Sequence, residues 1–244
     1  MNLTKQHILL TGGTSGIGLA LLRDLHQRGN RLVVVARDAN RADELRQTYP
    51  DVVFLSADLA SENAVVSLLD TLRREHPNLT VLINNAGVQF NYNLADTPHA
   101  PTRIETEIRT NLTSVIQLCA GLLPGLLEKS EGVIINITSG LGISPKRSAP
   151  VYSASKAALQ NFTKGLRYQV AGTSVQVVDV VLPLVDTPMT ARRGRGKISP
   201  EQVSRELIRG VERGQQVVNV GKVKLFRLIH RLAPALADRI LRDG

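Results

Sequence analysis

Residues 7–18 read His7-Ile8-Leu9-Leu10-Thr11-Gly12-Gly13-Thr14-Ser15-Gly16-Ile17-Gly18, a short apolar run followed by a glycine-rich turn. Leu19, Leu22 and Leu25 then recur at helical spacing. The stretch predicts a strand over 7–11 that turns directly into a helix ending near residue 28. The same alternation continues outward. Short β-branched runs predict strands near 31–36, 52–57, 80–84, 132–138, 174–182 and 216–220, with helix-length connections between them such as Val65, Leu68, Leu69 and Leu72. Strands joined by helices pair in parallel through right-handed crossovers. The expected fold is α/β, a doubly wound, mostly parallel seven-stranded sheet with helices on both faces. Ligands of such sheets bind beyond the carboxyl ends of the strands, so the residues there carry the functional reading.

The chain has 244 residues, 43% hydrophobic and 21% charged, a composition that excludes collagen-like, disordered and disulfide-scaffold proteins. No repeat or linker divides it, so one domain over 1–244 is expected. Cys119 is the single cysteine, and the opening residues lack the pattern of a secretory signal. The apolar runs over 7–10, 32–35 and 175–182 are far shorter than the roughly 20 residues of a membrane span, so no segment is expected to cross a bilayer. A cytoplasmic location follows as an expectation. The net charge of +9 is concentrated at one end: residues 192–244 hold 13 Lys+Arg against 5 Asp+Glu, whereas residues 1–191 hold 17 against 16. Only the tail is built to attract anions.

Gly12, Gly16 and Gly18 let the backbone turn sharply and approach a ligand closely. The free N–H groups of the following helix then face a phosphate. Thr14, Ser15 and Ile17 belong to the same cradle. The spacing G-x-x-x-G-x-G differs from the G-x-G-x-x-G dinucleotide fingerprint, and a purely structural turn is the alternative. After the second strand, where a dinucleotide meets its adenosine ribose, stand Ala36, Arg37 and Asp38. A guanidinium suits a 2′-phosphate, which favours NADP over NAD. Arg37 is otherwise a solvated charge, and a shifted strand end would bring the Asp38 carboxylate to the ribose. Asp58-Leu59 ends the third strand, where Asp58 accepts from an adenine amino group or caps the helix near Ser61. Asn84-Asn85-Ala86-Gly87 ends the fourth; the amides tie strands together and Gly87 opens a path beside the cofactor.

Tyr152 and Lys156 lie four residues apart on a segment that reads as a helix over 151–170, so they share one face. An ammonium beside a phenol favours the ionised form and brings it into acid–base range. Ser139 ends the strand upstream in Asn136-Ile137-Thr138-Ser139-Gly140. The ordered set of Thr11-Gly12 with Gly16 and Gly18, Asn84-Asn85-Ala86-Gly87, Asn111, Ser139, and Tyr152 with Lys156 resembles the short-chain dehydrogenase/reductase superfamily over residues 5–190. That resemblance implies a Rossmann-like fold and hydride transfer between a nicotinamide cofactor and an alcohol or carbonyl compound, without a metal. It implies Tyr152 as general acid and base, Lys156 lowering its pKa and binding the nicotinamide ribose, Ser139 holding the substrate oxygen, and Asn111 positioning a water for proton relay. It further implies cofactor contacts from Pro183, Val185 and Thr187.

One departure stands out. The family usually shows Pro-Gly after the sixth strand, and this chain reads Leu182-Pro183-Leu184-Val185-Asp186-Thr187. With the unusual tail, this text resembles the DltE-like oxidoreductase subgroup, associated by name with D-alanyl lipoteichoic acid operons. Residues 186–213 are expected to form a substrate-covering loop whose cations Arg192, Arg193, Arg195 and Lys197 receive an anionic substrate or serve as a solvated hinge. Residues 222–244 form a basic amphipathic extension with Leu225, Leu228, Ile229 and Leu232 at helical spacing. Packing on the parent domain or a partner subunit is favoured for it, over contact with a membrane surface. A homodimer or homotetramer is expected, and no nucleic-acid partner, since no aromatic platform interleaves with the cations. The competing functional readings are a nucleotide-sensing or membrane-peripheral interaction protein and a related NADP(H)-dependent epimerase.

Overall fold

A computed structural model describes residues 1–95, 97, 100–192 and 194–243. Seven parallel strands, β1 (His7–Thr11), β2 (Arg31–Ala36), β3 (Val53–Ser56), β4 (Val81–Asn84), β5 (Gly132–Ser139), β6 (Val175–Leu182) and β7 (Val217–Asn219), form one sheet in the order 3-2-1-4-5-6-7. The order reverses direction at β1, and the crevice between the ends of β1 and β4 is therefore the natural ligand site.

The strands are apolar on both faces because helices cover both. Leu10, Val34, Ile83 and Val180 pack with α1 (Gly16–Gln27) and α7 (Pro200–Glu212) on one side. On the other, Leu9, Leu82 and Ile134 pack with α3 (Glu62–Glu75), α5 (Ser114–Leu127) and α6 (Pro150–Gln169). Helix starts follow their capping chemistry. Asp38 caps α2 (Ala39–Thr48), Ser61 caps α3 and Ser199 caps α7, each accepting a backbone N–H. Proline occupies the first turn of α6, α7 and α9 (Pro234–Arg242), where its missing N–H costs nothing.

α4 (Ala100–Ile108), a π-helical turn (Arg109–Thr113) and α5 join into one helix of 28 residues. It is long and apolar enough to span a bilayer by length and composition, which the short runs read singly do not reveal. Val115, Leu118, Cys119, Leu122 and Leu126 bury its inner face in the core. Burial also pushes the Cys119 thiol up to about 12, which keeps it un-ionised.

The stretch expected to be a loop over 186–213 is partly helical, since α7 occupies its second half and packs on α1. The remaining loop folds back on itself. Val185 and Ile198 form a parallel bridge, and Lys197 Nζ donates to Asp186 Oδ1 at 3.2 Å and to the Thr190 carbonyl at 2.8 Å. Arg193 lies outside the described residues. The basic extension forms α8 (Val223–Leu232) and α9. α9 docks on the segment after β5: Ser144 Oγ donates to Asp238 at 2.6 Å, and the Arg147 N–H donates to the Arg242 carbonyl at 2.9 Å. α8 buries Val223 but leaves Leu225, Leu228 and Leu232 exposed.

Candidate active site

The glycine turn is fixed by its neighbours before any ligand is considered. Thr11 Oγ1 accepts the N–H groups of Asn85 and Ala86 at 3.0 Å, and Asn85 Nδ2 donates to the carbonyls of Thr11 at 2.9 Å and Gly12 at 3.0 Å. The end of β4 is thus tied to the end of β1. A Cβ on Gly18 would stand 1.9 Å from the Gly12 carbonyl oxygen, and one on Gly12 2.9 Å from Ala86 Cα, so neither position admits a side chain. Ser15 makes no side-chain capping bond to α1, which leaves the helix N-terminus available to an anion.

From this turn a groove runs past Arg37 at the end of β2, Asp58 and Leu59 after β3, and Ala86 and Gly87 after β4. It brings together Gly12, Thr14, Ser15, Gly16, Ile17, Gly18, Asn85 and Thr187 as the sequence leads one to expect. Asp58 does not cap α3; Ser61 does, and Asp58 Oδ1 accepts the Ala60 N–H at 3.0 Å. Asp38 lines the groove, but its carboxylate also accepts the Arg41 N–H as the cap of α2. Arg41 lines the groove too and is a residue the sequence reading missed. Its position four residues beyond Arg37 is the signal that would have found it.

The groove continues into a cavity of about 370 Å³ lined by Ser139, Tyr152 and Lys156, with Ile17, Asn85, Gly87, Thr187 and Met189 common to both. Pro183 and Val185 also line the cavity. Ser139 ends β5, where its Oγ accepts the Leu141 N–H at 3.1 Å and its carbonyl accepts from Gln160 of α6 at 2.9 Å. Tyr152 and Lys156 project from the first turns of α6, the ammonium 5.8 Å from the phenol ring centre.

Lys156 is buried, and Nζ donates to the Ile137 carbonyl at 2.8 Å. Burial pushes its pKa down to about 8, opposed by the charge of Asp179 on β6. Asp179 is itself buried, accepting from Thr138 Oγ1 at 2.5 Å, with Arg227 of α8 3.9 Å away. Burial raises its pKa, while Thr138 and the nearby cations act in the other direction.

Asn111 sits in the π-helical turn, fully buried. Its amide exchanges two 2.8 Å hydrogen bonds with the Val88 backbone, and Nδ2 also meets Ser155 Oγ at 3.3 Å. A Cβ on Gly87 would lie 3.2 Å from Asn111 Oδ1 and 3.7 Å from Lys156 Nζ, so both polar atoms flank the same point. Just beyond, the buried Glu107 accepts the Phe90 N–H at 2.9 Å and the Tyr92 hydroxyl at 2.8 Å, fixing the loop after β4. Burial raises the pKa of both Glu107 and Tyr92. This pair has no motif and was not legible in the sequence.

Leu184, which replaces the usual glycine, lines the cavity. The loop passes over it at Gly194, where a Cβ would come within 2.4 Å of Leu184 Cδ2. Ile240 and Leu241 of α9 complete the wall, a role the sequence reading did not assign to the tail.

A doubly wound parallel sheet with a glycine turn after β1 and a serine, tyrosine and lysine gathered over β5 is a dehydrogenase architecture. The family pattern of the short chain dehydrogenases matches residues 6–197, and the chain belongs to that family. It is 33% identical over 234 residues to the uncharacterized oxidoreductase DltE of Bacillus subtilis (strain 168), covering 93% of this chain and 92% of the relative. The DltE-like resemblance read from 182–187 and the tail agrees with this. The NADP-dependent 3-hydroxy acid dehydrogenase YdfG of Escherichia coli O6:H1 is 32% identical over 179 residues, 73% of this chain and 72% of that protein. Among solved structures, a short chain dehydrogenase from Burkholderia cenocepacia J2315 in complex with NADP superimposes with a TM-score of 0.87 at 26% identity, over 99% of each chain.

Proposed function

We propose that the protein is an NADP-dependent oxidoreductase that interconverts an alcohol and a carbonyl compound, with Tyr152 as the proton-transferring residue. The observation that carries this reading is the continuity of the glycine-turn groove with the cavity of Ser139, Tyr152 and Lys156. The groove fits a dinucleotide: an uncapped helix N-terminus and side-chain-free turn for the pyrophosphate, and Arg37 with Arg41 at the adenosine end. The nicotinamide supplies or takes up hydride at the substrate carbon. In reduction, the hydroxyls of Ser139 and Tyr152 hydrogen-bond the substrate oxygen and stabilise the negative charge that builds on it. Tyr152 gives its proton to that oxygen, and the Lys156 ammonium stabilises the phenolate left behind. Oxidation runs the same residues in reverse. Asn111 holds the loop after β4 in place at Val88 and offers Oδ1 beside Lys156 for a relay water.

Fluorescence titration tests the cofactor. NADPH is expected to bind about tenfold more tightly than NADH, and Arg37→Ala to remove most of that difference by weakening NADPH alone. Tighter binding of NADH, lost in Asp38→Ala, would overturn the assignment.

Lys156 also sets a pH dependence. It is charged below about pH 8 and neutral above, and only the charged form stabilises the Tyr152 phenolate. For carbonyl reduction, kcat/KM is therefore expected to fall as pH rises through about 8. Asp179→Asn removes the carboxylate that favours the ammonium and is expected to move this midpoint to lower pH.

The reading places the enzyme in the cytoplasm with a small-molecule substrate. The exposed Leu225, Leu228 and Leu232 of α8 support burial against a second copy, in a homodimer or homotetramer.

A further inference from the structure

The cavity differs in chemistry between floor and rim. Ser139 and Lys156 are buried at the floor. The walls above them are apolar, supplied by Leu141, Leu184, Met189, Ile240 and Leu241. Two further cations line the same cavity: Lys146, on the segment after β5, and Arg195, on the loop over Leu184. Both belong to the rim. Arg195 is exposed, and Lys146 also borders the neighbouring surface hollow lined by Tyr92 and Arg147.

Nearby cations are mostly spoken for: Lys197 is held by Asp186, and Arg147 and Arg242 by Asp243. Lys146 and Arg195 differ. Among the described residues neither side chain has a carboxylate or hydrogen-bonding partner, and no Asp or Glu lines the cavity. Two unneutralised cations at the mouth of an apolar cavity attract an anion there. The fold holds them in place. α9 is pinned to the Lys146 segment through Asp238 and Ser144, and the bridged loop carrying Arg195 rests on Leu184 through Gly194.

We propose that the substrate is an anionic amphiphile: a carbonyl or alcohol compound whose apolar body fills the cavity and whose carboxylate, at the end remote from the reacting carbon, meets Lys146 and Arg195. This rests on the oxidoreductase reading above and names the substrate class of that site. In reduction the carbonyl carbon receives the hydride from NADPH and its oxygen receives the Tyr152 proton, giving the alcohol and NADP⁺; the carboxylate is unchanged. A carboxylate only one carbon removed from the reacting carbon, as in short 3-hydroxy acids, would lie too deep to use the rim cations.

The test compares medium-chain ω-oxo carboxylic acids with their methyl esters in NADPH oxidation. The acid is expected to show kcat/KM about tenfold above the ester, with the preference shrinking at high salt. Lys146→Ala combined with Arg195→Ala is expected to raise KM for the acid about tenfold and leave the ester unchanged, the ester serving as the control for folding and chemistry. Equal kcat/KM for acid and ester in the unmodified protein overturns the proposal, as does equal loss on both substrates in the double variant. Reduction of small neutral carbonyl compounds with neither amphiphile accepted also overturns it and leaves the oxidoreductase reading standing. Reduction of no carbonyl compound by a chain that binds NADPH overturns both.

Discussion

Tyr152→Phe is expected to lower kcat for NADPH-dependent carbonyl reduction by about a thousandfold. The substitution keeps the ring on the first turn of α6 and removes only the hydroxyl, so the cavity wall is preserved while the proton donor is lost. Ser139 remains to hydrogen-bond the substrate oxygen, which is why the residual rate stays above zero. NADPH affinity, read by fluorescence, should change by no more than about twofold, because Lys156 keeps its place against the Ile137 carbonyl. Retained turnover would remove Tyr152 from the chemistry. A large loss of NADPH binding would make it a structural residue of the groove.

Gly18→Ala is expected to have the largest effect on the fold of the site. The added carbon would stand 1.9 Å from the Gly12 carbonyl oxygen and 2.7 Å from Asn85 Nδ2. Neither neighbour is free to retreat, since that carbonyl accepts from Asn85 and the Gly12 N–H donates to Val35 at 2.7 Å. Relief requires α1 to move away from the turn. Overpacking of this kind costs about 3 kcal/mol, measured by chemical denaturation. NADPH binding should weaken by about tenfold or more, since the helix N-terminus no longer addresses the turn. Unchanged stability and NADPH affinity together would show that the turn is not built around this glycine.

The legibility of the chain follows the range of its interactions. β1, β2, β4, β5 and β6 were readable because a parallel strand covered on both faces is a continuous apolar run, and helical spacing marked α1 and α3 equally well. That the glycine turn, Ser139, Tyr152 and Lys156 line one continuous groove and cavity was readable because they stand at fixed places after strands and one helical turn apart. Contacts between distant segments left no such trace. Glu107 with Tyr92, Asp179 with Arg227, and the lining of the cavity by Ile240 and Leu241 depend on how remote elements are brought together. The Asp58 alternative failed for a local reason: Ser61 lies immediately before α3 and is the better placed cap. The tail read correctly as amphipathic helix, yet part of its apolar surface, at Ile240 and Leu241, borders the cavity rather than the body of the sheet.

The placement of α9 separates two things that a single chain could have fused. The residues proposed to carry the reaction are positioned by the sheet and α6, whereas part of the cavity wall is supplied by α9, docked through Asp238 and the Arg242 carbonyl. Exchanging the residues of α9 that border the cavity is thus expected to redirect selectivity while sparing the reaction.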